Sequence, residues 1–221
     1  MAVVVNPYIP LASYLSLVRD VAQETQEKEP ECLVYCWTRP IPAPDDATDG
    51  HVFVQGLEIY RQLDALAVVH RTSKSYLKMR ETISSTGLIN FPKGGVPMYT
   101  PAGTGFLTKK GAPESVSPAN VFIFVQYTVE GSENLALFLA QEKILCSELD
   151  AKEAVLALWC FVPEPRGTDV PVTIFIRLLD ASYYGELEAR IGSFEAEILA
   201  PGRVKRTRWW KGEGFGFFRQ L

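Results

Sequence analysis

Cys32-Leu33-Val34-Tyr35-Cys36-Trp37-Thr38-Arg39 and Val155-Leu156-Ala157-Leu158-Trp159-Cys160-Phe161-Val162 are the two stretches whose reading decides the fold. Both are rich in β-branched and aromatic residues, which suit a pleated strand surface. Each carries a tryptophan, Trp37 or Trp159, at a matching place. Outward from them the pattern keeps repeating. Ahead of the first, Leu11, Tyr14, Leu15, Val18, Val21 and Ala22 recur at helical spacing, from Pro10 to near Lys28. Pro30 closes that helix. Ahead of the second, Leu135, Phe138, Leu139, Leu145, Cys146 and Leu149 do the same behind Ser132, a good N-cap. A valine-rich strand opens each half, at Ala2–Asn6 and Val121–Val129. A proline-rich acidic loop follows each tryptophan strand. Then come the strands His51–Tyr60 and Val172–Leu179.

The last helix of each half is predicted over Asp64–Ser84, with Gly87 as its stop, and around Tyr183, Tyr184, Leu187 and Ile191. The closing strands are predicted at Gly105–Lys109 and Val204–Trp210, the latter followed by a glycine- and aromatic-rich tail. Asn90–Gly105 reads as a long loop. Strand–helix–strand–strand–helix–strand therefore occurs twice, in the split order of ferredoxin-like folds. The expected architecture is α+β, with two tandem ferredoxin-like units at 1–110 and 119–221. A sheet with helices on one face must cover its other face, so the two are expected to form a pseudo-dimeric α+β barrel.

Composition narrows the function classes. The 221 residues are 47% hydrophobic and 22% charged, with a net charge of −4. That balance predicts no attraction to nucleic acid or anionic lipid. The one basic run, Arg203 to Arg208 with Lys211, reads as a solvated strand edge. No stretch approaches the ~20 apolar residues of a membrane span, and Met1–Pro7 lacks the basic start of a signal peptide. A cytoplasmic protein is expected. Cys32, Cys36, Cys146 and Cys160 have no CxxC spacing and read as buried free thiols. With only His51 and His70 available, no metal site is expected. Phosphate-binding and dinucleotide-binding glycine motifs are absent from the sequence, so no cofactor is expected either.

A family resemblance enters at the first half. Glu31-Cys32-Leu33-Val34-Tyr35 follows the first helix. Gly56-Leu57-Glu58-Ile59-Tyr60 then leads to Leu63-Asp64-Ala65-Leu66, His70, Ser73 and Tyr76. Over roughly Val3 to Ser84 this resembles the antibiotic biosynthesis monooxygenase family, although Glu31 stands where that family usually has glycine. The second half fits only the fold pattern: Arg177 and Leu179 stand where Glu58 and Tyr60 do, and no histidine follows Asp180. The resemblance implies a dimeric α+β barrel and cofactor-independent oxidation of an aromatic polyketide, with molecular oxygen as co-substrate.

The residues themselves leave alternatives open. Leu66, Val69, His70, Ser73, Tyr76 and Leu77 would share one helix face, and an imidazole there needs a partner. It is either a structural histidine, bonded to a backbone carbonyl or to Glu58, or a base lining a cavity. Glu58 and Tyr60 share one strand face, as do Tyr35, Trp37 and Arg39 on the neighbouring strand. Such a face suits a flat phenolic ligand, or else an interface between sheets. In the functional reading His70 is base or orienter and Glu58 its partner. Tyr60 and Tyr76 bond substrate oxygens, Tyr35 lines the site, Trp37 stacks on the ring and Arg39 steadies an oxyanion. Glu142 falls on an apolar stripe, either at its edge or as a partly buried acid. A lyase, isomerase or cyclase using the same pocket, and a non-enzymatic ligand-binding or stress-related barrel, are the competing functions. Monomer and homodimer both fit.

Overall fold

The computed structural model describes residues 2–5, 11–41, 52–87, 89–90, 98–106, 108–163, 168–199 and 203–220. His51 lies outside these residues. The elements run β1 (Ala2–Val5), α1 (Leu11–Lys28), β2 (Cys32–Pro40), β3 (Val52–Tyr60), α2 (Lys74–Thr86), β4 (Ile89–Asn90), β5 (Tyr99–Phe106), β6 (Val121–Glu130), α3 (Ser132–Asp150), β7 (Val155–Pro163), β8 (Asp169–Leu178), α4 (Tyr184–Leu199) and β9 (Val204–Phe218). The fold is α+β, and the described strand pairings are antiparallel.

Two compact units emerge, and they cut across the sequence halves at 1–110 and 119–221. The first comprises Met1–Val96, Pro113–Pro118 and Glu213–Gln220; the second comprises Pro97–Ala112 and Ala119–Gly212, with Leu221. Strand order in the first is β4-β1-β3-β2-β9, and in the second β9-β6-β8-β7-β5. The exchange follows from pairing. β5 bonds to β7 from Tyr99↔Pro163 to Phe106↔Leu158. β9 pairs with β6 through residues 204–212, whereas its later residues lie against β2.

In the first unit, the apolar stripe of α1 (Tyr14, Leu15, Val18, Val21, Ala22) and Met79 and Ile83 of α2 pack with Tyr35, Trp37, Val54 and Phe217. Burying such side chains contributes roughly 1.5–3 kcal/mol each. Cys32 to Thr38 are buried without alternation, so both faces of β2 are covered. Trp37 lies opposite Gly56 in the β2–β3 register. A Cβ on Gly56 would come within 2.9 Å of the indole, so glycine makes room for the ring. Gly216 of β9, at φ 127, has the same role for the backbone. A Cβ there would collide with the Tyr35 carbonyl oxygen.

Several expectations change. The helix predicted over Asp64–Ser84 is not continuous. Ala65–Val69 forms a π-helical turn and His70–Thr72 a 3₁₀ turn. Ser73 is extended (ψ 149), and α2 starts after it. The break separates the predicted face: His70 is buried, whereas Val69 and Leu77 are exposed. Gly87 does end α2, with left-handed φ 63 and its N–H on the Ile83 carbonyl. The predicted cap Ser132 is instead the first residue of α3. Gly131, at φ 77, takes the cap position, because the turn needs a conformation glycine adopts freely. Strand β5, Tyr99–Phe106, starts earlier than the predicted Gly105–Lys109 and takes up the end of the predicted loop, where pairing with β7 outweighs its Pro and Gly content. β9 continues through the predicted tail to Phe218. The basic run leads into β9: Arg203, just before the strand, pairs with Glu130, Arg206 pairs with Glu195, and Lys211 covers the Tyr184 ring. The four cysteines are free thiols. Among the described residues no helix is long and apolar enough to cross a membrane.

Candidate functional site

The buried stripe of α1 continues past Ala22 into two polar residues. Thr25 is fully buried, and Glu29, one turn on, is 4% exposed. Thr25 donates its hydroxyl to Glu29 Oε1 at 3.2 Å. Buried polar groups need partners, and both side chains meet His70, which the π-helical turn carries inward. His70 Nδ1 lies 3.0 Å from Glu29 Oε2, 3.3 Å from Glu29 Oε1 and 3.3 Å from Thr25 Oγ1. π-Helical turns of this kind recur at functional sites.

The other ring nitrogen faces β3. His70 Nε2 stands 4.0 Å from Glu58 Oε2, too far for a hydrogen bond. It is buried and has no hydrogen-bond partner among the described residues. Tyr60 donates its hydroxyl to Glu58 Oε2 at 3.3 Å. Around the imidazole, ring centroids lie at 5.5 Å for Tyr35, 5.6 Å for Tyr60 and 4.9 Å for Tyr76. Tyr35 is also directly opposite Glu58 in the β2–β3 register.

Burial sets the proton balance. It raises the Glu58 carboxyl above its ordinary value, although nearby His70 pulls it partly back. Burial, then the neighbouring Glu58, drives the Tyr35 and Tyr60 phenols well above the usual range. Those hydroxyls are neutral donors at any ordinary pH. The Cys32 thiol is pushed up for the same two reasons, so it is no ready nucleophile. The cluster therefore presents one imidazole nitrogen able to take or give a proton, beside an acid that resists ionisation and phenols that stay protonated. No group of three or more His, Cys, Asp or Glu side chains among the described residues could hold a metal ion.

The sequence-predicted residues are only partly brought together. His70, Glu58, Tyr60, Tyr76 and Tyr35 converge. Trp37 is buried in the core, with Tyr14 edge-on at 5.8 Å. Arg39 does not join them. It stands two residues further along β2, about half exposed, paired with Glu213. That ion pair, not an oxyanion, occupies its guanidinium. Glu29 and Thr25 were missed by sequence reasoning, though Thr25 extends the α1 stripe at helical spacing and Glu29 lies one turn beyond it. Glu142 is fully buried on α3, in the second unit. Arg177, at the position matching Glu58, is buried there and donates through Nε and Nη2 to Asn120 Oδ1. The described groove between α1 and α2, of about 600 Å³, is lined by polar residues such as Ser13, Ser16, Asp20 and Lys78, and contains none of the cluster.

No protein-family model matches the chain, and no curated protein matches it. Solved structures do. A "putative monooxygenase" from Fusobacterium nucleatum subsp. nucleatum aligns with a TM-score of 0.71 at 13% identity, over 99% of this chain and 90% of that one. Another "putative monooxygenase", from Lactobacillus acidophilus, aligns with a TM-score of 0.71 at 10% identity, over 98% and 93%. An "anthrone oxidase-like protein" aligns with a TM-score of 0.50 at 8% identity, over 99% and 90%. At these identities the likeness establishes a shared fold.

Proposed function

We propose that this chain is a cofactor-independent monooxygenase that oxidises an aromatic polyketide or a similar hydrophobic phenolic metabolite in the cytosol. The observation that carries the reading is His70 Nε2, buried among three tyrosine rings and without a hydrogen-bond partner among the described residues. His70 takes a proton from an anthrone-type methylene or its phenol tautomer. The electron-rich carbanion passes one electron to molecular oxygen, the radical pair combines at carbon as a peroxide anion, and His70 returns its proton to give the hydroperoxide. Loss of water leaves a ketone, so the methylene and one oxygen molecule become a carbonyl and one water. All four electrons come from the substrate, and no reductant is consumed. Tyr60 and Tyr76 hydrogen-bond the substrate oxygens, Tyr35 lines the ring, and Glu58 acts beside the base. The protein's contribution is positioning and exclusion of water.

The test supplies an anthrone to the purified chain while oxygen uptake and quinone absorbance are recorded. One oxygen is expected per substrate oxidised. His70→Ala should lower kcat by about 10²–10⁴-fold, the usual weight of a general base. Conversion without oxygen uptake would make the protein a lyase, isomerase or cyclase instead. Binding without any conversion would make it a ligand-binding protein.

A further inference from the structure

We propose that Glu29 is a positioning residue: with Thr25 it holds the His70 proton on Nδ1, so that the lone pair rests on Nε2. A histidine with a purely structural role in a dry core would have both ring nitrogens matched. Here the two are treated differently. Nδ1 faces both carboxylate oxygens of Glu29, at 3.0 and 3.3 Å, and the Thr25 hydroxyl. A carboxylate only accepts, and Thr25 already donates its one hydroxyl proton to this one, so Nδ1 is the donor. Nε2 then has no proton and faces Glu58, with no hydrogen-bond partner among the described residues. This is the minor tautomer of a free histidine side chain, and it needs such an anchor.

The other groups facing the ring agree. Glu58 lies on the Nε2 side, and Tyr35, Tyr60 and Tyr76 surround it. Were both glutamates ionised, two carboxylates would force the ring to imidazolium and Nε2 would be no base. Burial works against the Glu58 charge and raises its carboxyl above the ordinary value, and Glu58 Oε2 stands 4.0 Å from Nε2, beyond hydrogen-bond reach; the close carboxylate is that of Glu29, on the Nδ1 side. When Nε2 accepts a proton, the new charge forms 3.0 Å from Glu29 and is stabilised there, as in other acid–histidine pairs.

The role rests on His70 being the base, but its primary test does not need turnover. The chain has two histidines, so a His51→Asn variant assigns both rings in long-range proton–nitrogen correlation spectra of the ¹⁵N-labelled, ligand-free protein. At neutral pH, His70 should show a pyrrole-type Nδ1 and a pyridine-type Nε2. Glu29→Gln keeps an oxygen acceptor, so it should keep this tautomer while His70 protonates at lower pH. Glu29→Ala should shift population to the Nε2–H form. A wild-type ring protonated on Nε2, or doubly protonated at neutral pH, overturns the proposal without any variant. So does a Glu29→Ala ring that is unchanged. If Glu29→Ala fails to fold, the wild-type and Glu29→Gln spectra decide. In turnover, Glu29→Gln should lower kcat about 10–100-fold with KM little changed, and move the acidic limb of the pH profile to lower pH. Failure to oxidise any anthrone would sink the oxygenase reading and leave the tautomer result standing.

Discussion

Glu58 is a carboxyl whose environment works against its charge. Burial outweighs the pull of His70, so its folded value lies above the ordinary 4.5. The unfolded chain therefore ionises this group first as pH rises. Folded stability falls through the window above about pH 4.5, because the unfolded state sheds a proton that the folded state keeps. Glu58→Gln retains an oxygen for the Tyr60 hydroxyl and removes the ionisation. The variant should be more stable than wild type at pH 7, with the difference vanishing below about pH 4.5. Urea unfolding at the two pH values checks this; a less stable variant at pH 7 would contradict it. Removing His70 acts oppositely. It leaves Glu29 buried without its Nδ1–H donor, and an unsatisfied buried acceptor typically costs about 1–3 kcal/mol. His70→Ala should therefore be assayed for folding as well as for turnover.

The interrupted second helix shows how one element borrows its ending from another. Ser73 stands at the N-cap of α2 but makes no side-chain cap bond. Glu24 of α1 supplies it instead, accepting the Ser75 backbone N–H at 2.7 Å. A carboxylate at a helix N-terminus also meets the positive end of the helix dipole. The Ser75 contacts, with help from Lys28, hold the Glu24 carboxyl down at about 2. The stability this gives is present above the ordinary 4.5 and is lost as pH falls towards 2. Glu24→Ala should cost roughly 0.5–2 kcal/mol at pH 7, in the range of a lost cap. Its effect should shrink between pH 4.5 and 2, as read by thermal melts across that range. A pH-independent loss would mean that Glu24 acts through packing alone.

At the scale of the molecule, the last residues of the chain complete the first unit. Phe217 stacks on Tyr35 with centroids 6.5 Å apart, and Tyr35 is a wall of the His70 cluster. Arg219 donates to the carbonyls of Gln26, in the open last turn of α1, at 2.7 Å and of Cys32, at the start of β2, at 2.9 Å. Its backbone N–H bonds Leu33 at 2.9 Å. Glu29 lies within this same turn. Deleting residues 213–221 should therefore loosen α1 and β2 before β7 and β8, although Arg219 and Cys32 stand 187 residues apart in the chain. Amide hydrogen exchange reads this directly. Protection should fall in Val21–Glu29 and Cys32–Trp37 and persist in Val155–Val162. Equal loss everywhere would mean that the chain unfolds as one cooperative block.

The sequence by itself determined what is written in local periodicity. The helical stripe of α1, the strands around Trp37 and Trp159, the stop at Gly87 and the α+β class all follow from spacing and turn chemistry within a few residues. Glu58, Tyr60 and His70 were legible because they lie on short, recognisable segments. The tertiary structure decided what depends on distant partners. Strand β5 forms in a Gly- and Pro-rich stretch because β7 supplies its hydrogen bonds. The tail of β9 is a strand because Gly216 lets it approach Tyr35. A regular helix would have kept His70 and Leu77, two turns apart, on one face; the break at the extended Ser73 buries one and exposes the other. Glu29 became the partner of His70 only through that packing, 41 residues away. Arg39, although it shares a strand face with Trp37, was drawn off by Glu213 from the far end of the chain. Periodicity fixes which way a side chain points, and long-range pairing fixes what it meets.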